Sequence, residues 1–256
     1  MQNQREMRLP KKITPDRIRD SIVQVFFTSD IPFDPLIGYL YSYLQEKGYS
    51  YTNRPIPPKS DLSVTNVQAT NVFEVNLLPQ HLFFNEDVKI LLNQNGSIIF
   101  NCLNEYIGWE RYEAVIKEVL GFLYEKEVLS GFTRIGIRYI SEFPNISIED
   151  HLNVSLNIEK LDATLQSRNF RTEWLHGQDK LIIQFASKLP INAIVTDSGM
   201  DVEFVSLIDV DVIRENLAIY DMDSLMKNIN EAHKLQKSSF FCMLKEEFLQ
   251  TLNPEY

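Results

Sequence analysis

Arg134-Ile135-Gly136-Ile137-Arg138-Tyr139-Ile140-Ser141 alternates apolar and polar side chains, the period of a strand with one face in a core. The earlier run Ile22-Val23-Gln24-Val25-Phe26-Phe27 is β-branched and aromatic and also reads as a strand. The two align at a spacing of 112 residues, placing Val23 on Ile135, Val25 on Ile137, Phe27 on Tyr139, Ser29 on Ser141 and Pro32 on Pro144. From these two strands outward the element order repeats.

After the first strand, Asp34 and Pro35 read as N-cap and first helical residue, and Leu36, Ile37, Leu40, Tyr43 and Leu44 recur at helical spacing up to Gly48. Residues 49–52, 72–78, 88–92 and 98–103 read as strands, the last two joined at Asn95-Gly96, and a helix over 108–126 follows. After the second strand come a short helix at 147–156, strands at 165–174, 181–185, 191–195 and 202–208, and a long helix capped by Asp223. The expected fold is α+β: two tandem β-α-β-β-β-β-α units forming antiparallel sheet with helices packed on one face. An extended arm at 1–19 precedes units at 20–130 and 131–256. In element order the pair resembles the duplicated saddle of TATA-binding-type proteins, or two helix-grip domains.

The 256 residues are 44% hydrophobic, enough for a sizeable core, and the net charge of -10 disfavours general binding to phosphate backbones. Cys102 and Cys242 belong to no CxxC pair, and both are expected as buried, reduced thiols. No run of about 18 apolar residues appears, and the polar segment 1–10 lacks the core of a signal peptide, so a cytoplasmic protein without membrane contact is expected.

Chemistry is sparse. Neither GxGxxG nor GxxxxGK[ST] is present, and His81, His151, His176 and His233 are scattered. Asp209 and Asp211 share a strand face, a pair able to hold Mg²⁺ beside a phosphate, yet acids are ordinary at strand ends. Ser224 and Lys227 match SxxK without its companion motifs, and nothing near Cys102 would activate a thiol. No catalytic residue, metal ligand or cofactor is assigned. Candidate interaction residues are Tyr106 and Trp109, in an aromatic cluster at a helix entry, and Phe240, Phe241 and Phe248 on the final helix. That helix, if continuous over some 28 residues, is roughly 42 Å long and exceeds what its own unit covers.

The stretch 101–112, the strand at 134–140, the opening from Leu9 to Phe27 and an ending with His233 and Phe240 resemble a sporadically distributed, uncharacterised bacterial family of about this length. The resemblance implies a bacterial cytoplasmic accessory protein and carries over no functional residue. Sporadic families often travel with defence or toxin–antitoxin loci. The expected function is therefore a non-enzymatic protein-interaction module, an acidic chain suited to neutralising a basic partner such as a neighbouring gene's product. A homodimer is a further expectation. The alternatives are a ligand- or nucleic-acid-binding saddle, using the open sheet face with Arg134, Arg138, Arg168 and Arg171, and an enzyme using Asp209, Asp211 or Cys102.

Overall fold

The computed structural model describes residues 9–53, 81–154, 167–196 and 199–256; the strand expected at 72–78 lies outside them. The two aligned strands form the middle of one nine-stranded antiparallel sheet. β1 (Ile18–Thr28) and β6 (Gly131–Pro144) are neighbours, with Val23 opposite Ile137 and Val25 opposite Ile135. Numbering the remaining strands in chain order gives β2 (Ser50–Thr52), β3 (His81–Phe84), β4 (Val88–Asn93), β5 (Ser97–Cys102), β7 (Arg168–His176), β8 (Asp179–Thr196) and β9 (Gly199–Arg214). The order across the sheet is β2-β3-β4-β5-β1-β6-β9-β8-β7.

Period-two alternation selects the covered face. Val23, Val25, Ile98, Phe100, Ile135, Ile137, Ile208, Val210 and Val212 are buried beneath three helices. These are α1 (Phe33–Glu46), α2 (Trp109–Glu125) and α3 (Met222–Met243), each presenting residues at three- and four-residue spacing: Leu36, Leu40 and Leu44; Tyr112, Ile116 and Val119; Leu225, Ile229 and Ala232. One apolar core runs across both halves of the sheet. Each such side chain contributes about 1.5–3 kcal/mol on burial. The opposite face carries Gln24, Asn101, Arg138, Asp209 and Asp211.

Several local expectations are corrected. Among the described residues the second half has three strands after β6, because β8 is continuous where two strands were expected. Register shifts between Ala186/Leu189 and Pro190/Asn192, with Lys188 at φ 58°, absorb a proline that has no N–H to give. The short helix is a single 3₁₀ turn, Ile148–His151. Asp221, not Asp223, caps α3, its Oδ1 accepting from Ser224 N–H at 2.7 Å, and Asp34 lies in the first turn of α1.

The final helix is not continuous. Leu244 adopts extended backbone (ψ 136°), and α4 (Glu246–Thr251) follows as a separate helix. The cause is tertiary: Asn153 N–H donates to Met243 O (2.7 Å), Asn153 Nδ2 to Leu244 O (2.9 Å), and Lys245 N–H to His151 O (2.8 Å). Those bonds satisfy the carbonyls that a helix end leaves open. Cys102 is buried as expected, but Cys242 is exposed. The arm is anchored before Ile22: Lys12 bridges to Glu255, and Thr14 N–H donates to Leu252 O at 2.8 Å. Among the described residues no helix is long and apolar enough to cross a membrane.

Candidate functional site: a cavity between the N-terminal arm, the entry to α2, and α3

On the covered side of the sheet a cavity of about 330 Å³ is enclosed by the arm, the turn into α2 and one face of α3, against Tyr139 and Ser141 of β6. The α3 residues that line it are His233, Gln236, Lys237, Phe240 and Phe241. Their spacing of three, four, seven and eight residues from His233 is one helical face. At the other wall Gly108, at φ +84°, turns the chain into α2, a backbone conformation that L side chains rarely adopt.

That turn fixes the aromatic wall. Trp109 stacks on His233 (centroids 3.7 Å apart, 5° between planes) and donates Nε1–H to Asn230 Oδ1 at 2.9 Å. Asn230 Nδ2 donates in turn to Glu113 Oε1 at 2.6 Å, so the indole is held by a chain of two bonds. The Tyr106 and Tyr139 hydroxyls lie 3.2 Å apart, and the Tyr112 hydroxyl donates to Ser21 O at 3.2 Å.

The polar groups at this cavity are desolvated with little to compensate them. Arg17 Nε is buried without a hydrogen-bond partner. Gln236 is only 4% exposed and Ser141 3%. Lys237 Nζ donates once, to Lys11 O at 2.9 Å, and burial pushes its pKa down. Burial, aided by Lys237, holds the His233 imidazole at a pKa of about 3. Burial also raises Asp16, against the bond it accepts from Ile18 N–H, and raises the phenols of Tyr106 and Tyr139. Lys11, Lys12, Arg17 and Lys237 stand against Asp16 alone, so the lining is cationic in a chain of net charge -10. Lys12 is paired with Glu255 at 3.1 Å.

At neutral pH the imidazole is uncharged and the phenols are protonated. A general base should have a pKa near the working pH. His233 is far below it, and no nucleophile is paired with it. The arrangement offers hydrogen bonds, positive charge and aromatic surface.

Of the sequence-stated candidates, Tyr106, Trp109, Phe240 and Phe241 all line this cavity. Phe248 lies apart on α4, stacked on His151 (4.2 Å) and tilted against Phe143 (5.9 Å). Phe240, Phe241 and Phe248 are 6–8% exposed and face inward, so they offer no outer docking surface. Asp209 is clamped by Arg138, Nε to Oδ1 at 2.9 Å and Nη2 to Oδ2 at 2.6 Å, while burial pushes Asp211 up to about 6. No group of three or more His, Cys, Asp or Glu is placed to hold a metal among the described residues. Burial raises the Cys102 thiol as well, and Ser224 serves the Asp221 cap. On the open face Arg134 pairs with Glu215 (3.3 Å), Arg138 with Asp209 (2.6 Å) and Arg171 with Glu173 (2.5 Å).

Sequence reasoning missed Arg17, Ser141, Gln236 and Lys237. One signal was present: Gln236 interrupts the apolar stripe of α3 between Ala232 and Phe240. Compared with known proteins, the chain matches no family model, no curated protein and no solved structure.

Proposed function

We propose that the protein is a non-enzymatic binding module whose cavity receives a small organic anion, a carboxylate or phosphate on an aromatic or aliphatic body. One observation carries this reading: in an acidic chain, Lys11, Lys12, Arg17 and Lys237 converge on one aromatic-walled cavity, where Arg17 Nε is buried without a hydrogen-bond partner. Its volume falls at the lower end of ordinary ligand sites. The acid group would meet Lys237 and Arg17, and the apolar body would lie against Trp109, Phe240 and Phe241. Thermal-shift and calorimetric titration with aromatic and aliphatic carboxylates and phosphates tests it. At least one should bind, and Lys237→Met should abolish that binding. Failure of every probe, or binding indifferent to Lys237→Met, overturns the reading.

The two halves are further read as diverged copies of one unit. The central antiparallel pairing of β1 with β6 supports this. The cavity then sits where the copies meet, between the arm before β1, the helix ending one half and a helix ending the other.

A partner protein is the second reading, favoured by Trp174 and Leu175, which are 59% and 81% exposed. Co-expression with a neighbouring gene's product should give a stable complex that Trp174→Ser weakens; a lone species counts against it.

A further inference from the structure

β7 ends the sheet among the described residues. Natural edge strands are usually blunted by lysine, proline, bulges or shortness, because free amides and carbonyls invite pairing. β7 has no lysine, proline or bulge and runs for nine residues, and its charged residues, Arg168, Arg171 and Glu173, are of both signs. Arg168-Asn169-Phe170-Arg171-Thr172-Glu173-Trp174-Leu175-His176 pairs with β8 over all nine residues without a register shift. Its outward part is exposed, most of all at Trp174 and Leu175.

The turn decides which backbone groups face outward. His176 and Asp179 flank the two-residue turn Gly177-Gln178, with Gly177 at φ 61°. In such a hairpin the flanking residues form a hydrogen-bonded pair, and alternate residues then bond to the partner strand. The even-numbered residues of β7 therefore bond to β8. The N–H and C=O groups of Asn169, Arg171, Glu173 and Leu175 point away from it.

Read backwards, the strand is its own complement about Thr172. Set antiparallel against a second copy, Arg171 faces the partner's Glu173, Phe170 the partner's Trp174, and Asn169 the partner's Leu175. By symmetry every pair occurs twice. Opposite charges and aromatic pairs directly across a ladder are stabilising, and like charges are not. Moving the symmetry point by one residue sets Arg171 against the partner's Arg171, or Glu173 against the partner's Glu173. Of these three registers only the Thr172-centred one avoids both and sets Arg171 against the partner's Glu173.

We propose that β7 pairs with β7 of a second copy about a twofold axis at Thr172, so that one sheet runs across a homodimer. The four outward residues of each strand supply about eight backbone hydrogen bonds. The interface is isologous, as closed dimers require, and it places the helices of both copies on the same side. Trp174 is covered by the partner's Phe170, and Leu175 lies opposite the partner's Asn169.

Light scattering and sedimentation of the full chain, from low to high micromolar concentration, test the pairing. The wild type should dimerise. Glu173→Arg and Arg171→Glu should each be monomeric, with unchanged circular dichroism. The double variant R171E/E173R should dimerise again, because opposite charges once more face each other. Glu173→Pro, which removes one outward N–H and no bond to β8, should weaken the dimer at least tenfold. A monomeric wild type, a dimer indifferent to Glu173→Arg, or a double variant that stays monomeric would each overturn the proposal.

Discussion

Two polar clusters adjoin α3, one near its start and one beyond its middle, and they treat buried charge differently. Near the start, Arg214 of β9 is 5% exposed and donates to both oxygens of Asp179 at 2.6 and 2.8 Å. It also donates to Asn228 at 2.6 Å and Glu231 at 3.1 Å. Further along, His233, Gln236 and Lys237 share a cavity with Arg17, and no such set of acceptors meets them. A buried charge is tolerated when paired and costs stability when it is not. The closed network is therefore structural. The open one leaves Arg17 Nε buried without a partner and gives Lys237 a single bond, to Lys11 O, and the proposed ligand would supply what it lacks.

The largest effect is expected where the network is closed. Arg214→Ala leaves Asp179, itself 5% exposed, with an uncompensated buried carboxylate. Removing one member of a buried pair costs about 3–5 kcal/mol, readable in the urea unfolding midpoint. A loss below about 1 kcal/mol would place Arg214 with ordinary surface pairs and erase the contrast.

The second effect comes from the open cluster. His233 titrates near 3 in the folded chain, against 6.5 for an ordinary imidazole. Between those values the unfolded chain binds the proton first, so stability is complete above about 6.5 and falls as pH drops towards 3. The loss attributable to His233 by pH 4 should be about 3 kcal/mol, and His233→Gln should remove it. Unfolding midpoints measured from pH 4 to 7.5 decide this; identical profiles for wild type and variant would show that the imidazole is not held neutral.

The open sheet face gives the opposite sign. Asp211 is raised to about 6, so between 3.8 and 6 the folded chain binds the proton more readily. This group favours the folded state at low pH and costs stability as pH rises through 6. Asp211→Asn should therefore stabilise the protein by about 2–3 kcal/mol at pH 7.5 and by only about 0.5 kcal/mol at pH 4. A variant destabilised at pH 7.5 would mean that Arg138 needs both carboxylates.

The closed and open clusters differ in how far the sequence reveals them. The sheet's centre was legible because β1 and β6 keep strict alternation, and alternation is local. β8 was not, because Pro190 reads as a strand end unless a bulge nearby takes it up, and the bulge depends on pairing with β9. The break at Leu244 carries no glycine or proline signal, since bonds from residues 151–153 impose it. For the cavity, Tyr106, Trp109, Phe240 and Phe241 stood out singly as aromatic residues. Their convergence depends on how α2 and α3 pack, and Arg17 joins them only because the arm is tied down at Glu255 and Leu252. Gln236 alone was a local anomaly pointing inward.

The smallest expected effect on stability separates the clusters most sharply. Gln236→Leu replaces a buried amide by an apolar side chain of similar volume, beside Phe240 and Phe241. Drawing a polar amide out of water costs stability and an apolar replacement does not, so the change should leave stability unchanged or raise it by up to about 1 kcal/mol. Lys237→Met removes a desolvated ammonium in the same way, at the loss of one bond to Lys11 O. A structural network cannot be pruned without loss, as Arg214→Ala should show. If the open cluster is kept for a ligand, the same two variants should be the ones that lose binding of the anionic probes. Urea midpoints and calorimetric titration on the same samples give the comparison. Variants that lose stability along with binding would move these residues into the closed class.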